Sequence, residues 1–268
     1  MGSSPPRADL AAPFRGERYA DTQNLSRVIA PPYDVIDPAE RARLAAADAH
    51  NIVHLLLPEG SDDGRYARAA GLLADWRRRG VLVRDPAPAV YVLAQDFTLR
   101  DGEPVTRRGV LAAVAAEGYE PQRVRPHERT HAGPKADRLA LLRAIETNVE
   151  ALFMIAPDRE RVLADALATV MGSGPADGRA ELDGVASRVW VVRGDAVERF
   201  PLPTAPLYIA DGHHRYETAT AYAREHPAAA RVLSLIVPAG DPGLSILPTH
   251  RVIFGTGRDL DRMLERWR

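Results

Sequence analysis

Two β-rich runs in the middle of the chain, 90–99 and 105–115, are separated by Arg100-Asp101-Gly102-Glu103. Asp-Gly between two such runs is a strong hairpin signal, so this spacing predicts an antiparallel pair deep in the fold. A different unit lies further on: 207–210 reads as a strand that runs directly into a helical pattern over 213–225. Hairpins beside strand–helix units argue against a doubly wound parallel sheet. They predict an α+β fold, a mixed sheet with hairpins and flanking helices.

Other segments follow this order. Asp37-Pro38 predicts a helix to about residue 48, with Asp37 as cap and Pro38 at the first helical position. Residues 51–57 read as a short strand. The 66–79 segment places Ala69, Ala70, Leu72, Leu73 and Trp76 on one helical face, and Gly80 is set to end it. Helices are expected over 138–148 and 161–170, strands over 151–156 and 231–238, and a second hairpin from 188–193 and 197–200. Pro31-Pro32 blocks both helix and central strand, so 26–36 predicts a rigid, mostly extended loop. Trp76 and Trp190 sit in apolar runs and are expected in the core. Residues 1–12 read as a flexible leader and 13–268 as a single domain. The chain stops at Arg266-Trp267-Arg268 just after a helical pattern begins, which predicts a longer natural protein.

Composition narrows the function classes. Lys and Arg number 35 against 36 Asp and Glu, a formal net charge of -1, so a nucleic-acid-coating role is disfavoured. There is no Cys, which excludes disulfides, iron–sulfur clusters, thiolate zinc sites and a cysteine nucleophile. The cytoplasm is the default compartment. No apolar run approaches the roughly 18–20 residues of a membrane span. P-loop, dinucleotide-binding and serine-hydrolase glycine motifs are all absent.

Five of the eight histidines fall into three short polar clusters. The strongest is Asp211-Gly212-His213-His214-Arg215-Tyr216-Glu217, where a strand turns into a helix. The first N–H groups of a helix lack internal partners and carry partial positive charge. Gly212 lets a ligand approach the backbone, Arg215 offers a fork for phosphate oxygens, and His213 and His214 add donors. Together they predict an anion site. Asp211 would repel a phosphate directly, so it is expected to hold Mg²⁺ or orient a hydroxyl. The competing reading makes Asp211 a simple helix cap.

The second cluster, Pro126-His127-Glu128-Arg129-Thr130-His131, contains His-Glu-x-x-His. That pattern makes a zinc protease only on a helix, and Pro126 and Gly133-Pro134 bracket it too closely. Zinc is therefore not expected. The segment reads instead as a polar loop that presents Glu128 as general base, with His127 beside it. It also brings Lys135 or Arg138 to phosphate, while Asp137 is expected to cap a helix beginning at Arg138. A third cluster, Ala30-Pro31-Pro32-Tyr33-Asp34, holds a phenol and a carboxylate on rigid prolines, either to line a substrate pocket or simply to make a bend. The fourth, Leu247-Pro248-Thr249-His250-Arg251, offers His250 to substrate and Arg251 to phosphate.

These motifs, with Pro13-Phe14-Arg15-Gly16, Arg107-Arg108-Gly109 and Lys135-Ala136-Asp137-Arg138-Leu139, resemble those of the domain of unknown function ten-fifteen family. The resemblance spans nearly the whole chain from Pro13. That family is similar to the ParB/sulfiredoxin-like superfamily, whose members bind nucleotide phosphates at a helix N-terminus after a Gly-x-x-Arg turn, as in Gly212–Arg215. Free serine kinases in that superfamily share Asp-Gly-His-His-Arg. The resemblance thus implies a ParB/sulfiredoxin-like nucleotide-binding core and a phosphotransferase using Mg²⁺ and ATP or ADP. The acceptor would be a small hydroxylated metabolite such as free serine, with Glu128 as the candidate base. Two rivals stand beside it: a non-catalytic nucleotide-binding switch of ParB type, and a metal-dependent hydrolase using His127, Glu128, His131 and one of His213 and His214. Partners are expected to be substrate and nucleotide, with no membrane. No feature fixes the oligomeric state.

Overall fold

The central hairpin is the spine of the molecule. The computed structural model describes residues 9–22, 25–128, 130 and 132–247. Its strands are β1 (Ala11–Ala12), β2 (Glu17–Tyr19), β3 (Leu82–Arg84), β4 (Val90–Thr98), β5 (Pro104–Ala115), β6 (Val124–Arg125), β7 (Leu152–Ala156), β8 (Gly178–Leu182), β9 (Val185–Val192), β10 (Leu207–Asp211) and β11 (Arg231–Pro238). Its helices are α1 (Leu25–Val28), α2 (Pro38–Ala47), α3 (Val53–Leu56), α4 (Gly64–Arg78), α5 (Ala132–Ile145), α6 (Val162–Gly172), α7 (Asp195–Glu198) and α8 (His213–Glu225).

Nine strands form one sheet in the order β6-β10-β7-β11-β5-β4-β9-β8, with β1 paired to β5. The pairs β6/β10 and β7/β11 are parallel, and the others are antiparallel. The fold is α+β, as the hairpin and strand–helix pattern required. Strands β2 and β3 make a separate two-stranded ribbon.

Side chains alternate between the two faces of the sheet. On one face Val90, Val92, Val110, Ala112, Leu152, Met154 and Ile236 are buried against Leu163 and Leu167 of α6 and Tyr216 and Ala219 of α8. On the other face Leu93, Leu111, Phe153 and Leu235 are only half-buried. A second cluster, Leu55, Leu73, Trp76, Leu141 and Ile145, ties α3, α4 and α5 together. Within the segment read as a leader, Leu10 and Ala11 are buried, and Ala11 pairs with Val114.

Three local expectations are corrected. Residues 51–57 contain a helix, α3, not a strand. Asn51 Oδ1 accepts the Val53 N–H and its Nδ2 donates to Arg27 O and Ile29 O, which fixes a turn. Val53, Leu55 and Leu56 are buried all round, and in so short an apolar run periodicity cannot separate the two states. The second hairpin is β8–β9 rather than 188–193 with 197–200. Its turn is Asp183-Gly184, both with positive φ, and 195–198 is a helical turn. The 26–36 segment is not mainly extended: α1 opens it and a 3-10 turn spans Tyr33–Val35.

Candidate functional site

Strand β10 sends Leu207 and Ile209 into the core and leaves Asp211 exposed at its end. The chain then turns at Gly212, whose φ is +94°, a region that side-chain-bearing residues rarely adopt. A Cβ there would lie 2.7 Å from Leu152 Cδ2. No side chain caps α8 at this N-cap position. The cap reading of Asp211 is therefore not what the structure adopts. Its Oδ2 instead accepts from Arg215 Nη2, one turn along the helix.

Arg215 is 9% exposed. Its Nη1 donates to Ala151 O at 2.6 Å and lies 3.8 Å from Glu150 Oε1. The fork expected to face phosphate is thus turned towards protein acceptors. The Glu150 side chain is only 13% exposed, and its Oε1 accepts the Tyr33 N–H at 2.8 Å. Burial pushes its carboxyl above the usual range, against the pull of Arg215. The proline loop is thereby joined to the turn before α8.

The second cluster arrives from the other side, following β6. His213 is 1% exposed, and its Nδ1 lies 3.1 Å from Glu128 Oε1, whose side chain is 53% exposed. The two are not aligned as a hydrogen bond, so Nδ1 is a buried polar atom without one. On the other side of the ring, Nε2 accepts the His127 N–H at 3.2 Å. The proton of the neutral ring therefore sits on Nδ1, facing Glu128. Burial holds the His213 pKa below its ordinary value, although Glu128 pulls it upward. His127 stacks edge-on against His213, with ring centroids 4.5 Å apart, and its Nε2 lies 3.3 Å from Ala210 O. His127 and Glu128 lie in a bend ahead of α5, not on a helix.

Helix α5 begins at Ala132, so Asp137 lies inside it and does not cap it. Pro134 is tolerated because first-turn N–H groups have no intrahelical partners in any case. Asp137 accepts from Arg65, Tyr66 and Arg138. Arg138 is buried, donates to Leu56 O at 2.7 Å, and its Cζ lies 4.4 Å from the Tyr33 ring centroid. These contacts hold Arg138 as a brace beneath the proline loop. Lys135 Nζ donates to Glu217 Oε2 at 2.8 Å, and Thr130 Oγ1 donates to the same oxygen at 2.6 Å. Burial alone would raise Glu217, but the ammonium and hydroxyl outweigh it and hold the carboxyl below its usual range.

Among the described residues no three His, Asp or Glu side chains are grouped to hold a metal ion. The side chains of Asp211 and Glu128 are both about half exposed. His131, His250 and Arg251 lie outside the described residues. Asp34 is exposed beside Tyr33. His214 follows His213 on the first turn of α8 and contributes to the charge around Glu217.

Residues 11–268 match the model of the family described as Protein of unknown function (DUF1015). The chain belongs to this family. No curated protein and no solved structure matches it. In this DUF1015 member the sequence clusters around residues 33, 128 and 213 meet in one continuous network. Four further residues join them without having been given a role from sequence. Glu217 and Thr130 sat within the motifs. Glu150 and Tyr119 gave no local signal. Tyr119 stacks on Tyr216 with centroids 5.3 Å apart, and its hydroxyl has no hydrogen-bond partner. A cavity of about 750 Å³ between the half-buried sheet face and the N-terminal helices, lined by Leu73, Leu111 and Leu233, includes none of the network. No helix of the described DUF1015 chain is long and apolar enough to cross a membrane.

Proposed function

We propose that the protein is a nucleotide- and Mg²⁺-dependent phosphotransferase acting on a small hydroxylated metabolite such as free serine, built on a ParB/sulfiredoxin-like core. The observation that carries this reading is the meeting of Glu128 with His213 at the uncapped start of α8. A half-exposed carboxylate stands beside a buried, neutral histidine and a helix end suited to anions. An unbonded buried polar atom such as His213 Nδ1 is uncommon, and functional sites are one place where it occurs.

In this reading the first-turn N–H groups after Gly212 and the side chains of His214 and Lys135 receive the nucleotide phosphates. Arg215, bound to Asp211 and Ala151, and Arg138, bound to Asp137, act mainly by holding the two walls in place. Glu128 takes the proton of the acceptor hydroxyl. The acceptor oxygen then bonds to the terminal phosphorus as the bond to the bridging oxygen breaks and the shortened nucleotide leaves. Tyr33 and Asp34 line the acceptor side. Asp211 would hold Mg²⁺ together with the nucleotide phosphates, as one or two carboxylates commonly do, and the ion would supply charge neutralisation to the transferred group. Catalysis of this sort needs positioning and electrostatics more than covalent chemistry.

Calorimetric titration with ATP and ADP, with and without Mg²⁺, tests the reading. Wild-type protein is expected to bind one of them in a Mg²⁺-dependent manner, and Asp211→Asn to weaken it. Saturation at 100 times Kd would stabilise the fold by about 2.7 kcal/mol. Absence of binding by either nucleotide contradicts it.

A further inference from the structure

The Arg107-Arg108-Gly109 motif plays no part in the network above. Arg107 lies on the half-buried sheet face and reaches across it. Its Cζ is 5.3 Å from the Phe97 ring centroid and 5.1 Å from that of Phe153. Both contacts fall within cation–π range. Nε and Nη2 both donate to Gln95 Oε1, at 3.1 and 2.8 Å. That leaves the edge formed by Nη1 and the outer N–H of Nη2 without a protein acceptor among the described residues. A Cβ on Gly243 would lie 2.5 Å from Arg107 Cα, so the 241–244 turn presses the backbone into place.

Neighbouring arginines make direct ion pairs and Arg107 does not; Asp241, already paired with Arg108, acts on it only at longer range. Arg108 pairs with Asp241 at 3.0 Å, and Arg188 with Asp96 at 2.8 Å. No carboxylate among the described residues pairs with Arg107. Burial holds its guanidinium below its ordinary pKa. A half-buried cation without a contacting counter-ion is unfavourable unless something else supplies the charge. Phe153 connects this group to the candidate site, because its register partner on β10 is Asp211. Cross-strand partners share a face, and a register shift between Ile209 and Asp211 turns Asp211 from the face of Ile209 to that of Phe153 and Arg107.

We propose that Arg107 binds the carboxylate of the acceptor, making that acceptor a small hydroxy acid or hydroxy amino acid. The inference rests on the phosphotransferase reading and narrows it. One positive charge without a direct ion pair, with a flat, open edge, matches a planar monoanion. A dianionic phosphate would call for a second cation, and Arg108 and Arg188 are already paired.

The test is calorimetric binding of L-serine, D-glycerate and L-lactate without nucleotide, with lactamide as the neutral match and inorganic phosphate as the competing anion. At least one of the three acids is expected to bind wild type while lactamide does not. Arg107→Gln should weaken that binding at least tenfold, and Arg107→Lys, which keeps the charge but loses the fork, should weaken it too. Arg107→Gln should still unfold in a single cooperative transition without ligand, because the burial penalty it relieves offsets the loss of the Gln95 bonds and ring contacts. Binding unchanged in both variants, equal binding of lactamide, Arg107-dependent binding of phosphate alone, or no binding of any acid each overturns the inference. Arg107-dependent acid binding without phosphoryl transfer would leave it standing and remove the proposed reaction.

Discussion

Glu128 Oε1 lies 3.1 Å from the buried Nδ1 of His213, joining a loop after β6 to the first residue of α8. Glu128 shapes the protonation of His213. Burial depresses His213 and Glu128 partly restores it. Because the folded pKa is below the unfolded value, the unfolded state takes up protons first. The neutral ring's contribution is complete above the ordinary His pKa of about 6.5 and is lost as pH falls through the folded value. NMR titration of the His213 ring should show a pKa below 6.5 in wild type and a still lower one in Glu128→Gln. Thermal melts of that variant should fall off more steeply from pH 7 to 5. A pKa unmoved by the substitution would show that the two groups do not interact.

Gly212→Ala forces a Cβ into a backbone region with φ of +94° and against Leu152. We expect a loss of about 1–3 kcal/mol in urea unfolding, from backbone strain and the clash together. The same variant should lose nucleotide affinity, because the first turn of α8 must shift. A variant as stable as wild type would mean that the turn relaxes without cost.

Glu150 separates charge from hydrogen bonding. Its carboxyl is raised mainly by burial, so its contribution is complete below the usual carboxylate range and fades as pH rises through the folded value. Glu150→Gln keeps an acceptor for the Tyr33 N–H, removes the buried charge, and is expected to be at least as stable as wild type at pH 8. Glu150→Ala strands that N–H and should cost about 1–3 kcal/mol. Urea unfolding at pH 5 and pH 8 reads both. Equal losses in the two variants would show that Arg215 needs the carboxylate charge.

Tyr91 is a fold-only comparison. Its hydroxyl accepts the Gly16 N–H at 2.7 Å and donates to Asp85 Oδ2 at 2.5 Å, and Asp85 also holds Arg18. Tyr91→Phe leaves two buried polar groups short of a partner and should cost about 1–3 kcal/mol without altering nucleotide binding. Lost binding in a folded Tyr91→Phe protein would tie the N-terminal ribbon to the site.

What could be read from sequence followed from local chemistry. Asp101-Gly102 marked the central hairpin, Asp37-Pro38 marked α2, and the passage from Ile209 through Gly212 to Tyr216 marked the turn from β10 into α8. Each carries its instruction within a few residues. The missed elements do not. Val53, Leu55 and Leu56 are buried on every side, so they show neither helical nor strand periodicity, and the turn-forming Asn51 looks like any polar residue before an apolar run. Asp183-Gly184 carries the same turn signature as the central hairpin, but the strand before it, Gly178–Leu182, alternates charged and small residues and gives little apolar signal of its own. In the site, Glu150 could not be singled out, because its importance comes from Tyr33 and Arg215, which the fold brings to it. Arg215 shows the converse: its residue type suits phosphate, but only coordinates place Asp211 and the Ala151 carbonyl against its fork.

Phosphoryl transfer from ATP or ADP to L-serine and D-glycerate, followed by phosphorus NMR in wild type and Glu128→Gln, probes the proposed chemistry most directly. Wild type should form a phosphorylated acid. Glu128→Gln should form it at least about 100-fold more slowly while binding nucleotide as before. Nucleotide binding with no phosphorylated product from either acid, or an unimpaired Glu128→Gln enzyme, would contradict it.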